Sequence, residues 1–286
     1  MIAAAILAAA ASAFAANVDL PLRGETLRVA VVGDTGSGSE RVARGIRKAG
    51  RLDAILLTGD NFYPCSPKSV DDPRWSLVRP LVAIGPPVFP VLGNHDYCGG
   101  GPEPQLRWPH WRFPARQYAI RSPLADFAML DTTPYVLGRS REAEQAVAGV
   151  FASSKARWRI AVGHHPIRSS GYHGYFPRDQ VRRMREITPL LQAHRVDLYV
   201  CGHDHHMELV RGKPMHLVSG AGSDPIPPLM LRPQTIFPPE VRRERIGFAV
   251  LEITRGEIRV RFYDESGRVT FEHSAVSARS GAAGRE

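Results

Sequence analysis

The chain has 286 residues, 43% of them hydrophobic, and a formal net charge of +9. That composition excludes an intrinsically disordered chain, and three cysteines exclude a disulfide-dense miniature scaffold, whereas the length suits one α/β domain with a sizeable core. The cationic residues are nearly all Arg and form no basic block, which argues for a solvated surface that attracts anionic substrates and against a nucleic-acid footprint.

Met1 to Ala16 is apolar, uncharged, Ala-rich and ends in small residues, the pattern of an export signal. It is too short to span a bilayer, which takes about 20 residues. Leu27 to Val32 then reads as a buried strand ending at Gly33-Asp34, and Gly36-Ser37-Gly38 as a turn into a helix starting near Glu40. Asp53 to Leu57 is a second buried strand, after which Gly59 lets the backbone turn sharply before Asp60, with Tyr63 three residues on. Val88 to Leu92 ends at Gly93-Asn94-His95-Asp96. From Gly99 to Phe113 the chain is rich in Gly, Pro, Trp and Arg; Trp108, His110 and Trp111 either line an entrance or pack on one another.

Arg141 to Ser154 reads as a helix, followed by a strand from Trp158 to Val162 that ends at Gly163-His164-His165. Arg178, Arg182, Arg183 and Arg185 recur at helical spacing as a solvated face. Val196 to Cys201 ends at Gly202-His203-Asp204-His205; Cys201 reads as a small core residue and His206 as surface. Asp204, on the tight turn between two imidazoles, reads as a backbone acceptor. Proline makes Asp224 to Glu240 irregular, and Gly247 to Ile258 with Glu257 to Tyr263 form closing antiparallel strands that turn at Arg255-Gly256. After His273 the residues are small and polar, which predicts a disordered tail over 274–286.

One strand ending in Gly and a polar residue means little, since such residues turn well. Five such endings place Asp34, Asp60, Asn94, His164, His203 and His205 at strand tips, where α/β folds carry their functional side chains. Carboxylates, an amide oxygen and imidazoles suit zinc, iron or manganese better than a soft thiolate site. Cys65 follows Tyr63 closely and Cys98 follows His95 closely, so the two either meet as a disulfide or stand as unpaired loop thiols.

These motifs, from Gly33-Asp34-Thr35-Gly36 through Gly59-Asp60-Asn61-Phe62-Tyr63 and Gly93-Asn94-His95-Asp96 to Val162-Gly163-His164-His165 and Gly202-His203-Asp204-His205, resemble those of the calcineurin-like metallophosphoesterases. Tyr63, the short length, Met129-Leu130-Asp131-Thr132 and Ser219-Gly220-Ala221-Gly222 are similar to the small tartrate-resistant purple acid phosphatases. The resemblance implies a four-layer α/β/β/α sandwich of two mixed sheets, with a catalytic domain over residues 25–273 behind a signal peptide of residues 1–16. It assigns one metal to Asp34, Asp60, Tyr63 and His205, and a second to Asp60, Asn94, His164 and His203, with Asp60 shared. A phenol ionises readily only beside a highly charged cation, so Tyr63 implies Fe(III), paired with Fe(II), Zn(II) or Mn(II); a Zn or Mn pair with Tyr63 at the rim is the competing reading.

His95 and His173 take the catalytic positions in the resemblance, whereas His165 departs from the aromatic residue usual there and reads as a donor behind the ligands. The implied activity is hydrolysis of small phosphomonoesters by in-line attack of a metal-activated hydroxide, in a periplasmic or secreted protein with neither nucleic acid nor, after signal cleavage, membrane as partner. A phosphodiesterase or nucleotide hydrolase of the same superfamily is the alternative, and a non-catalytic metal or phosphate binder is a third reading.

Overall fold

Short apolar runs of Val, Ile, Leu and Ala become strands covered on both faces, and their periodicity decides which side chain faces which layer. A computed structural model describes residues 16–236 and 245–276. Its strands are β1 (Asn17–Asp19), β2 (Leu27–Val32), β3 (Ala54–Leu57), β4 (Val88–Pro90), β5 (Tyr118–Arg121), β6 (Ala125–Met129), β7 (Trp158–Val162), β8 (Leu198–Cys201), β9 (Met207–Val210), β10 (Met215–Ser219), β11 (Gly247–Ile253), β12 (Glu257–Asp264) and β13 (Val269–Val276). They form a seven-stranded sheet in the order β1-β5-β6-β7-β8-β10-β9 and a six-stranded sheet in the order β13-β12-β11-β2-β3-β4. Both are mixed: β2, β3 and β4 run parallel, as do β6, β7, β8 and β10, while β11 returns antiparallel to β2 and β9 to β10.

The period of two along β6, β7 and β8 splits the side chains between two cores. Phe127, Met129, Ile160, Val162, Leu198 and Val200 join Val29, Val31, Leu56 and Phe248 of the other sheet in one cluster. Ala128, Ala161, Tyr199 and Cys201 point the other way, into a second cluster with Val147 and Phe151 of helix α2 (Glu142–Ala152), Met184 of α3 (Arg178–Glu186) and Leu191 of α4 (Thr188–Ala193). Helix α1 (Glu40–Lys48) covers the six-stranded sheet through Val42 and Ile46. Two mixed sheets flanked by helices therefore make the sandwich. Pro90, which cannot donate to a ladder, ends the edge strand β4, where no donor is missed.

The helices expected at Glu40, Arg141 and Arg178 form where periodicity put them, with Arg178, Arg182 and Arg185 exposed. Trp108 stacks on Trp75 at 4.1 Å between ring centroids, Trp111 meets the same ring edge-on at 5.3 Å, and Trp108 and Trp111 meet each other at 5.2 Å, so the loop's tryptophans pack as a buried cluster. The closing hairpin turns at Arg255-Gly256 as the residues suggest. Composition placed the domain's end at residue 273, whereas β13 continues to Val276: pairing with β12 as far as Glu257–Val276 outweighs weak local propensity. The remaining tail, residues 1–15 of the expected signal peptide and residues 237–240 lie outside the described residues. No helix among the described residues is long and apolar enough to cross a membrane.

Candidate metal centre

Parallel strands deliver their C-terminal ends to one edge, and here both sheets deliver them to the same place. Asp34 follows β2, Asp60 follows β3 and Asn94 follows β4; His164 follows β7, and His203 and His205 follow β8. The tips are cross-bonded: Gly33 N donates to Ser219 O at 2.8 Å, Asp34 N to Gly59 O at 3.0 Å, and Gly202 N to His164 O at 3.1 Å. Among the described residues four non-glycines have φ in the left-handed region, and three belong to this cluster: Asp34 at 57°, Asp60 at 51° and His203 at 69°. Strain held at the cluster marks it as the place where geometry outranks local comfort. Glycine is required beside it, because a Cβ at Gly93 would strike Asp60 Oδ1 and one at Gly202 would strike Asp34 Oδ2.

The seven side chains form two groups that share Asp60. In the first, Tyr63 Oη lies 3.1 Å from Asp34 Oδ1, 3.2 Å from Asp60 Oδ2 and 3.0 Å from His205 Nε2. In the second, His164 Nε2 lies 2.9 Å from His203 Nδ1, 3.2 Å from Asn94 Oδ1 and 3.4 Å from Asp60 Oδ2. The Asp60, His164 and His203 donor atoms all lie within 4.8 Å of one another. Carbonyls fix the outward-facing nitrogens: His164 Nδ1 donates to Thr58 O and His205 Nδ1 to Asp224 O, both at 2.8 Å, which turns each Nε2 toward the cluster.

The electrostatics suit a cation. Burial pushes the Asp34 carboxyl up to about 6 against the pull of His164 and His205. Burial acts the same way on Asp60, but His164 and the His95 amide overcome it and hold Asp60 at about 2. His164 opposes its own burial through Asp60 and rises to about 9. Burial and then the charges of Asp34 and Asp60 drive the Tyr63 phenol far above its ordinary range. The phenol has one proton to donate among two carboxylates, and two imidazole nitrogens lie 2.9 Å apart, so acceptors outnumber protons in this cluster; such a set of oxygens and imidazoles suits divalent or trivalent cations.

The two histidines expected to be catalytic stand at the open side. His95 N donates to Asp60 Oδ1 at 2.9 Å, its Nδ1 to Pro64 O at 2.8 Å, and its ring meets the Tyr63 ring edge-on at 4.7 Å. The His173 ring lies 3.8 Å from that of His203, and its N donates to Asp204 Oδ1 at 2.9 Å. Burial lowers the His173 pKa. Asp204 thus serves backbone, as its turn suggested. His165, buried, has Nδ1 2.9 Å from Thr132 Oγ1 and packs against the rings of His164 and His203, so it buttresses these two imidazoles. Cys65 and Cys98 form a disulfide that ties the Tyr63 loop to the Asn94-His95 loop.

His206 corrects the sequence reading: it is buried, with Nε2 3.1 Å from the buried carboxylate of Glu208. Two supporting acids were missed. Asp96 receives Gly93 N at 2.9 Å, Gln105 Nε2 at 2.8 Å and Asn61 N at 3.2 Å, knitting the second tip to the third; burial and the Asp60 charge push its carboxyl up to about 7. Its place next to His95 was the available signal. Glu208, fully buried, accepts from Ser170 N at 2.7 Å and Ser170 Oγ at 2.6 Å, and nothing in its local sequence marks it.

Residues 27–207 match the sequence profile of the calcineurin-like phosphoesterase family. Purple acid phosphatase 17 of Arabidopsis thaliana is 32% identical over 84% of this chain and 81% of its own length, and tartrate-resistant acid phosphatase type 5 of Sus scrofa is 27% identical over 86% of each. Among solved structures, GAP50, described as the anchor in the inner membrane complex of Plasmodium, superposes with a TM-score of 0.72 at 26% identity, over 89% of this chain and 90% of that one. The purple acid phosphatase PPD1 of yellow lupin shares the fold, with a TM-score of 0.69 at 17% identity over 89% of this chain and 54% of that one.

Proposed function

Because this chain belongs to the calcineurin-like phosphoesterases, and within them to the purple acid phosphatases, we propose that it is an exported acid phosphatase hydrolysing phosphomonoesters at a dinuclear Fe(III)–M(II) centre. A metal-dependent phosphoric ester hydrolase is what the family is; export, the ions and the residue roles are this reading's own. The observation that carries it is the meeting of Tyr63 Oη with Asp34, Asp60 and His205 within 3.2 Å. A fold shared with a membrane-complex anchor does not fix chemistry, but a full donor set does argue for it.

Asp34, Asp60, Tyr63 and His205 would hold Fe(III), and Asp60, Asn94, His164 and His203 the second metal, Fe(II), Zn(II) or Mn(II). When bound, the two cations acidify a water into a nucleophile and neutralise the phosphoryl oxygens. The chain supplies the rest. Asp60, which touches both groups, would be shared by the two cations and its charge would screen one from the other. Tyr63, held far from ionisation by burial and then by two neighbouring carboxylates, would lose its proton only beside a highly charged cation, which is why the phenol favours Fe(III) in this reading. His95, its ring oriented through Pro64 O, would protonate the departing alkoxide, and His173, packed on the His203 ring, would steady the phosphate. The export signal and the Cys65–Cys98 disulfide together support a periplasmic or secreted location.

The test is the visible spectrum and metal content of purified protein, with hydrolysis of an aryl phosphate and of its bis-ester at acid and neutral pH. A purple band lost in Tyr63→Phe, with mono-ester hydrolysis at acid pH, is the expected result. A colourless active protein carrying two Zn or Mn would overturn the iron assignment, and preference for the bis-ester would overturn the mono-ester one.

A further inference from the structure

Large apolar side chains in contact with water gather beside the metal centre. Among the described residues eight are conspicuously exposed, and five of these, Tyr172, Phe176, Ile226, Leu229 and Met230, sit on two loops, residues 171–176 and 226–236. All but Phe176 are more than half exposed. Single exposed hydrophobes need no explanation, but five on two loops bonded to each other beside one site do.

Polar bonds hold the loops in place and leave the apolar faces outward. Met230 N donates to Ser170 O at 3.1 Å, Tyr175 Oη to Met230 O at 3.3 Å, and Arg232 clamps the turn through Ser169 O at 2.6 Å and Gly174 O at 2.8 Å. The same loops touch the centre: Ile226 N donates to His205 O at 2.7 Å, and the Tyr172 ring meets the His173 ring at right angles at 5.3 Å. Guanidinium groups flank the rim, Arg232 4.3 Å over the Tyr175 ring and Arg178 6.0 Å over Phe176. An anionic head at the metals with an apolar tail across this rim matches both features.

We propose that the rim seats the alcohol moiety of the substrate, and that the enzyme acts on phosphomonoesters of long-chain alkyl alcohols in preference to sugar phosphates. The proposal rests on the phosphatase reading above. In the reaction water adds its oxygen to phosphorus, the phosphorus–oxygen bond to the alkyl group breaks with its electron pair on the alkoxide, and that oxygen takes a proton and leaves as the alcohol. An alkyl chain along Tyr172, Leu229 and Met230 removes apolar surface from water on both partners, whereas sugar hydroxyls would lose water for few new partners.

The test is kcat/KM of the metal-loaded enzyme for butyl, hexyl and octyl phosphate below their micelle concentrations, with glucose 6-phosphate and an aryl phosphate for comparison. We expect kcat/KM to rise about two- to fourfold per methylene, through KM, and the slope to fall by at least half in Leu229→Ser/Met230→Ser. A flat series, or glucose 6-phosphate matching octyl phosphate, with the aryl phosphate hydrolysed, overturns this proposal alone. Hydrolysis of none of them overturns the phosphatase reading and this one with it.

Discussion

His95 reaches the open side with its orientation set from behind by Pro64 O, so its loss removes a proton donor without removing a proposed ligand. His95→Ala should cut kcat on an alkyl phosphate by about 10²–10⁴-fold, and far less on an aryl phosphate whose leaving group needs no proton. An equal loss on both would assign His95 to the phosphate rather than to the leaving oxygen. His216 makes a different prediction. It lies fully buried in β10 opposite Tyr199, and burial together with the Arg168 charge lowers its pKa from an ordinary 6.5 to about 3. Below 6.5 the unfolded chain therefore binds a proton that the folded protein refuses, and stability falls with pH. The loss should reach about 3 kcal/mol between about pH 6.5 and 4, and urea titrations of His216→Phe should show a shallower acid decline. A decline as steep as the wild type's would assign the acid lability elsewhere. For an enzyme read as acid-active, this one side chain sets part of the working range.

At the scale of elements, the loop carrying His173 hangs from Glu208. The carboxylate holds Ser170 N and Oγ, Thr235 Oγ1 and His206 Nε2, so it fixes the loop against both β9 and the segment after Arg232. Glu208→Ala strands these buried donors, at a cost of about 1–3 kcal/mol, and should lower kcat by letting His173 drift. A double-mutant cycle separates positioning from mere destabilisation: in a His173→Ala background the further effect of Glu208→Ala on kcat should nearly vanish, and additivity would contradict the coupling. The disulfide acts likewise on the other side, where Cys65 and Cys98 sit two and four residues beyond Tyr63 and Asn94. Cys98→Ser should broaden or shift the Tyr63-dependent visible band while leaving metal content intact; an unchanged band would mean that the loops hold without it. The Glu208 tether was not legible in the sequence, and the disulfide was legible only as one of two readings of Cys65 and Cys98. Strands, their Gly-plus-ligand tips and the helices on the outer layers were legible, because periods of two and 3.6 and the turn preference of Gly are local. Glu208 and the burial of His206 depend on contacts between segments far apart in the chain, and local pattern carries no trace of those; the pairing of Cys65 with Cys98 depends on such contacts too, which is why their positions beside the site residues left it open.

The whole molecule is two sheets meeting at one charged edge. Local pattern could say that five strands end in ligands, but not that three of the tips belong to one sheet and two to the other; that division follows from the order in which β11 returns beside β2 and β10 beside β8. It has a consequence for stability. Asp34, Asp60, Tyr63 and Asn94 come from the six-stranded side, and His164, His203 and His205 from the seven-stranded side, so each proposed cation joins ligands from both sheets. Without cations the edge holds Asp34 driven up to about 6 by burial, Asp60 near 2 and His164 near 9, an arrangement of buried groups whose charges are only partly matched. Ligands that bind the folded state alone stabilise it by mass action, by about 4 kcal/mol at a thousandfold excess over Kd, which is roughly 8–16 °C in Tm for a domain of this size. Chelation should therefore lower Tm by about that much, and stoichiometric metal should restore it together with activity. His203→Ala, which breaks the second group while leaving the first, should lose part of this increment, because the first group still spans both sheets through His205. Activity lost on chelation at an unchanged Tm would mean that the sheets meet well enough unaided, and that the cations are held without clamping the sandwich.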